Sequence, residues 1–411
     1  MKKIATATVL GASLCLSLPT WAAETTDDSE LLMEQVVELL LLQQEEIEGL
    51  KKRLSETNEK VVSSEEKIAE TARVAEAAAS RQQSSGAASW AERTHIGGYG
   101  ELHYNNNKNG KTDKVDNHRF VLFVEHEFSD DVRFVSEVEL EHSISGDGEE
   151  GEIEIEQAYI EWDYTEGHLA KIGQFLIPVG IINETHEPDT FYGVERNPVE
   201  KNIIPATWWE AGVSFGGELS PGLSYDVAVH SGLETPTSGS DAYKVRKGRQ
   251  KVSKATAEEF AYTARLKYKG IAGLEVAASV QRQDDIAQGL GASKASAMML
   301  EGHAIYQLQD LTLRGLYATW DVDGTEAKAA GRDEQDGWYF EPSYRISSKV
   351  GVFARYSEWD NNAGDNSDTE VEQVDVGLNY WIVDNVALKV DWADQKNGDG
   401  DSFNVGLGFS F

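Results

Sequence analysis

The chain is 411 residues long and carries 71 Asp and Glu against 37 Lys and Arg, a formal net charge of −34. From Thr94 onward the balance is 27 basic to 55 acidic residues, net −28, and a surface so acidic excludes nucleic acid as a partner. The one cysteine, Cys15, sits in the first apolar stretch, so the chain beyond it holds no disulfide, thiolate metal site or cysteine nucleophile. No 18 consecutive apolar residues follow to form a helical membrane span.

Lys2 and Lys3, the apolar stretch Ile4 to Leu18 and the segment Pro19-Thr20-Trp21-Ala22 read as a secretory signal peptide over residues 1–22. Over residues 29–80, a heptad that starts at Met33 puts Met33, Leu40, Ile47, Leu54, Val61, Ile68 and Ala75 on one seam. That spacing predicts a coiled coil. The second seam mixes Val36, Gln43, Leu50, Thr57, Ser64, Thr71 and Ala78, which leaves the number of strands in the coil open. Residues 81–93, with the run Gln82 to Ser89, read as a linker.

From residue 94 the period changes from seven to two. Phe403, Val405, Leu407, Phe409 and Phe411 fall on one face, with Asn404, Gly406, Gly408 and Ser410 on the other. The pattern recurs in Val386 to Ala393, Val374 to Tyr380, Trp209 to Phe215 and Arg133 to Glu141. Sixteen such segments begin near residues 94, 117, 131, 152, 167, 207, 222, 257, 271, 296, 310, 335, 349, 370, 385 and 401. Short turns such as Thr165-Glu166-Gly167 and Ser220-Pro221-Gly222 alternate with long polar loops such as Ser145 to Gly151 and Asp360 to Thr369. The expected fold is an all-β transmembrane barrel of sixteen antiparallel strands over residues 94–411, with short periplasmic turns and long external loops. An even strand number puts both barrel ends, and hence the coiled coil, in the periplasm. Trp162, Trp208, Trp320, Trp359, Trp381 and Tyr380 are expected in the interfacial girdles. A charged residue facing lipid near the midplane costs about 2–4 kcal/mol, so the charged set of each strand is assigned to the lumen. It comprises Arg119, Arg133, Lys171, Arg265, Lys267, Arg345 and Arg355, with Glu125, Glu127, Glu137, Glu139, Glu210, Asp226, Glu259, Glu341 and Asp375.

One long connection, residues 177–207, differs from the rest. It is rich in apolar and aromatic side chains (Ile181, Ile182, Phe191, Tyr192, Val194, Ile203 and Ile204) and carries Glu184, His186, Glu187, Asp189, Glu195, Arg196, Glu200 and Lys201. A loop this apolar is expected to fold into the barrel and constrict the pore; the alternative is packing over the rim or at a subunit contact.

Three stretches resemble the phosphate-selective porin O/P family: Gln157-Ala158-Tyr159-Ile160-Glu161-Trp162, Gly173 to Gly180, and Phe191-Tyr192-Gly193-Val194-Glu195-Arg196. The similar region runs from about Asn117 to Gly217, and the carboxyl-terminal aromatic, Phe411, resembles the assembly signal of outer-membrane barrels. The resemblance implies a sixteen-stranded homotrimeric porin whose third external loop folds into the pore, with outer-membrane lipid, lipopolysaccharide and the barrel assembly machinery as partners. It does not carry over phosphate selectivity. The strand that is often arginine-rich in the family reads Asn117-His118-Arg119-Phe120 here, and the loop holds five acidic residues against two basic ones.

The expected function is passive diffusion of small hydrophilic solutes and ions, with mild cation preference from the acidic loops. The alternatives are a phosphate- or anion-selective porin, and a structural tether that works through the coiled coil. An enzyme is not expected: there is no His-Glu-x-x-His, no Gly-x-Ser-x-Gly and no phosphate-binding glycine loop. No catalytic residue, cofactor or metal site is assigned, since Asp321-Val322-Asp323-Gly324 lacks the full ligand set of a calcium loop.

Overall fold

The structure is a computed structural model and describes residues 48, 49, 51, 90–108, 112–398 and 400–411. The signal peptide assigned to residues 1–22 lies outside the described residues. So does the coiled coil over residues 29–80, apart from helical Glu48, Gly49 and Lys51. Gly86–Phe411 forms a unit of its own.

Sixteen strands follow in chain order: β1 (Thr94–Asn107), β2 (Lys114–Glu127), β3 (Val132–Glu141), β4 (Ile153–Thr165), β5 (His168–Leu176), β6 (Trp209–Ser220), β7 (Leu223–His230), β8 (Ala261–Ile271), β9 (Leu274–Gln283), β10 (Ser296–Leu308), β11 (Leu311–Asp323), β12 (Glu334–Arg345), β13 (Val350–Asp360), β14 (Val371–Val383), β15 (Val386–Lys396) and β16 (Ser402–Ser410). Each pairs antiparallel with its neighbours in sequence, and β1 closes the barrel on β16 from Tyr99↔Ser410 to Asn107↔Ser402. Closure satisfies every ladder and leaves no free edge, the condition for a sheet in lipid. Strand number and order agree with the period-two reading. One boundary moves: β8 begins at Ala261, so Glu259, assigned above to the lumen face, lies in the preceding loop and pairs with Lys294.

The terminal strand shows how the seam is fitted. Phe411 extends the β1 ladder, with Gly98 N donating to Phe411 O at 3.0 Å and Phe411 N to Gly98 O at 2.9 Å. A Cβ at Gly100 would lie 2.7 Å from the Phe409 ring, so the glycine leaves room for that aromatic on the outer face.

Alternation sorts the two faces. Met298, Leu300, Tyr317, Trp338 and Phe340 are exposed outward, whereas Ala297, Met299, Leu316, Ala318 and Tyr339 are buried. The girdle expectation needs correction. Trp162 and Tyr380 are exposed, but Trp208, Trp320, Trp359 and Trp381 are buried. Trp208, Trp320 and Trp359 belong to an interior apolar cluster with Ile177, Val179, Val199, Ile203, Ile204, Leu233, Val245 and Ile286. Trp381 packs with Tyr192, Phe353 and Ala387 in a second cluster. An indole in an alternating strand fits either face, and here the apolar loops supply it with partners inside the wall.

Candidate functional site: the loops against the inner wall

The connection 177–207 closes on itself at its neck. Asn183 donates Nδ2 to Ile177 O (2.8 Å) and Trp208 O (2.9 Å), and its Oδ1 accepts from Trp208 N (2.7 Å). The amide side chain thus adds to the backbone bond from Ile177 N to Trp208 O (3.0 Å) that joins the two ends. A five-residue helix, Pro198–Asn202, follows. Asn197 caps it by accepting from Val199 N, and Pro198 stands where a missing N–H costs nothing. Glu200 binds the segment together, accepting from Ile181 N (2.9 Å), Ile182 N (2.8 Å) and the Tyr339 hydroxyl of β12 (2.9 Å). Ile177, Ile203 and Ile204 are fully buried, and each contributes about 1.5–3 kcal/mol of apolar burial.

The segment touches inward-facing side chains around much of the barrel. The Arg119 guanidinium of β2 donates to His186 O (2.6 Å) and to the Tyr99 hydroxyl (2.8 Å), and it pairs with Glu101. The His186 ring lies 3.2 Å from Glu156 and 3.5 Å from Glu137. Burial alone would lower the His186 pKa, but these two carboxylates prevail and push it up to about 9. Glu184 pairs with Arg265 of β8. Glu195 accepts from Asn105 (3.0 Å) and meets His103 at 3.2 Å, both on β1. Asp189 accepts from the Ser410 hydroxyl of β16 (2.8 Å). Asp391 of β15 accepts from Val194 N (2.6 Å), Asn379 of β14 donates to Phe191 O (3.2 Å), and the Lys389 ammonium stands 3.7 Å from the Phe191 ring centroid. Arg196 donates to the Thr207 hydroxyl, Lys201 is exposed, and the Glu187 carbonyl closes a turn with Thr190 N (3.0 Å).

The strand register turns the assigned lumen charges inward, and most meet an opposite charge there. Arg133 pairs with Glu161 (2.7 Å) and Asp163 (3.0 Å). Arg265 Nε donates to Asp226 (2.9 Å). Arg355 reaches Asp375 (3.1 Å) and Glu341 (3.2 Å). Lys267 stands 3.9 Å from Glu275. Lys171 lies over Tyr159 and Arg345 over Trp381. Glu137 accepts from Tyr99 (3.2 Å) and Gln157 (2.7 Å), and Glu139 is buried beside it. Glu210 accepts from the Trp208 indole (3.0 Å). Glu125 and Glu127 stand near the short-turn end, opposite Val135 and Arg133.

The sequence reading missed a second loop. Residues 231–260, between β7 and β8, carry six basic side chains from Lys244 to Lys254. Arg246 donates to Ala206 O (2.6 Å) and Arg249 to Thr207 O (2.5 Å), so this basic loop is fastened to the end of the acidic one. Lys251 pairs with Glu152 at 2.7 Å and also with Glu154. The signal was present: Lys244 to Lys254 contains six basic residues and no acidic one.

Two water-accessible chambers border segment 177–207. The larger, about 980 Å³, opens among long-loop residues and is lined by Lys114, Arg196, Lys201, Lys244 and Arg332 against Glu195, Asp360 and Asp375. The smaller, about 280 Å³, lies by the short turn Gln309-Asp310 and is lined by Asp189 to Tyr192, Arg314, Arg345 and Trp381.

A closed sixteen-stranded barrel with an apolar outer face and a charged inner face is the architecture of an outer-membrane porin. The chain belongs to the family of phosphate-selective porin O and P, whose model matches residues 93–405. A protein of Aquifex aeolicus (strain VF5), described as uncharacterized, is 31% identical over 352 residues, 74% of this chain and 77% of that one. Among solved structures, OmpF of Salmonella typhi in complex with daunomycin aligns with a TM-score of 0.56 and 13% identity, over 77% of this chain and 97% of that one. The anion-selective porin of Comamonas acidovorans aligns at 0.54 and 13% identity over 77% and 99%. OmpT of Vibrio cholerae in its trimer form aligns at 0.53 and 11% identity over 77% and 99%. The fold is that of porins, and family and fold together make this an outer-membrane channel protein.

Proposed function

We propose that the protein is a passive diffusion channel for small hydrophilic solutes and ions, with segment 177–207 as its constriction. One observation carries this reading: the segment bonds to inward-facing side chains on β1, β2, β8, β12, β14, β15 and β16 and borders a chamber on either side. Solutes that pass between the chambers move along its flanks.

The selectivity argument turns on distance. Mild cation preference follows from the −28 balance beyond Thr94. At physiological salt, however, charges more than about 8 Å away are screened, and the nearer lining counts for more. Five basic side chains against three acidic ones in the larger chamber favour weak anion preference instead. The reversal potential in a KCl gradient across a planar bilayer decides between them: a chloride-directed shift supports the chamber argument, a potassium-directed shift supports the mouth. A homotrimer is the proposed assembly, as in the trimer form of OmpT, set in lipid and lipopolysaccharide after insertion by the barrel assembly machinery. The tether alternative places the coiled coil, residues 29–80, in the periplasm. Loss of conductance on deletion of residues 24–90 would count against the barrel alone being the channel.

A further inference from the structure

Three imidazole and carboxylate groups meet at the long-loop mouth of the barrel, where no sequence motif pointed to them. Asp116 and His118 lie on β2, and His142 follows the last residue of β3. The two rings turn Nδ1 toward one carboxylate, His142 at 2.9 Å and His118 at 3.4 Å from Asp116 Oδ2. One ligand atom from each of the three lies within 4.8 Å of the others. The arrangement is built rather than incidental. His142 and the next residue, Ser143, both adopt left-handed backbone conformations, with φ of 54° and 63°, which a residue with a Cβ adopts only at a cost. His118 is stacked on His103 with ring centroids 4.6 Å apart, which limits its rotation. Side-chain exposures of 24%, 26% and 37% for His118, Asp116 and His142 leave the group open to solvent.

We propose that Asp116, His118 and His142 form a binding site for a divalent transition-metal ion of the zinc, copper or nickel class. With metal–ligand bonds of about 2.0–2.2 Å, neighbouring ligands of a tetrahedral ion stand about 3.3–3.5 Å apart. The observed His118–Asp116 separation of 3.4 Å already has this value. The His142–Asp116 contact needs to open by a few tenths of an ångström. Two imidazole nitrogens select transition metals over Mg²⁺ and Ca²⁺, which favour oxygen. Three protein ligands leave a fourth position for water, so the bound ion exchanges with the medium. The site differs from the group Glu137, Glu156 and His186, which is buried and occupied in anchoring the loop.

The test uses the full detergent-solubilised protein without a polyhistidine tag, titrated calorimetrically with ZnCl₂. The expected result is one Zn²⁺ per chain, undisturbed by a large excess of Mg²⁺. Outer-shell partners alone change metal affinity by about 10–100-fold, so His142→Ala and His118→Ala should each weaken binding at least about 100-fold. X-ray absorption at the zinc edge of the unmodified protein should show imidazole nitrogen in the first shell, a readout that does not depend on how the variants fold. Equal affinity in correctly folded variants, displacement of Zn²⁺ by Mg²⁺, or an all-oxygen shell each overturns the site. None of these outcomes bears on whether the barrel conducts, which the reversal potential tests separately.

Discussion

The two longest described connections, 177–207 and 231–260, are of similar length but are held in different ways. The first carries five acidic residues against two basic ones and buries Ile177, Ile203 and Ile204 completely. Two of its charges are consumed locally, Glu200 by two backbone amides and Glu184 by Arg265, whereas Glu195, Arg196 and Lys201 line the larger chamber. The second carries six basic residues against four acidic ones. Two of its arginines donate to carbonyls of the first loop rather than to carboxylates, so their charge is not cancelled by an ion pair. A loop rich in one sign of charge need not pass that sign to the channel. What reaches a permeating ion is the charge left after internal pairing.

Breaking the anchor of the first loop should have the largest effect. Arg119→Ala removes one of the two partners of buried Glu101, leaving His103 at 3.0 Å, and with it the donor to His186 O; breaking a buried pair costs about 3–5 kcal/mol. Thermal unfolding followed by circular dichroism should fall sharply, and single-channel records should become noisier as the segment loosens. Asn183→Ala strands Trp208 N, whose acceptor is the Asn183 amide, and a donor buried without a partner costs about 1–3 kcal/mol. A clear loss of thermal stability is expected, with limited proteolysis now cutting within 177–207. Arg246→Ala combined with Arg249→Ala should cost less stability but move the reversal potential toward cations, because it subtracts basic charge from the second loop. A pH effect is also expected. The pKa of His186 is raised by folding from 6.5 to about 9, so its contribution is complete below pH 6.5 and is lost as pH rises through about 9. Stability should decline over that upper range in the wild type and not in His186→Gln.

The barrel was legible because a sheet with lipid on one side must alternate, and a single wrong parity would put Lys389 or Asp391 into the membrane. Strand number, order and the inward face follow from that constraint alone. The connection 177–207 was legible as an interruption of the alternation with too many apolar residues for solvent. Three things were not. Trp208, Trp320 and Trp359 could serve a girdle or an interior cluster, and only the apolar loops beside them decide which. The basic run Lys244 to Lys254 stands out by charge, but its attachment through Arg246 and Arg249 to Ala206 and Thr207 does not. The cluster of Asp116, His118 and His142 joins two residues of β2 to the residue that follows β3, beside a bulge in β2 that shifts the register between Glu101 and Leu102 of β1. Spacing along the chain carries no trace of that meeting.

The central claim is that segment 177–207 sets the passage. Residues 94–411 contain no cysteine, so Glu195→Cys gives a thiol at the wall of the larger chamber, where Glu195 lies. Single-channel conductance should be recorded before and after modification with a bulky cationic methanethiosulfonate. A stepwise fall in conductance, absent in the unmodified sequence, is the predicted result; quantitative labelling with unchanged conductance would contradict the account.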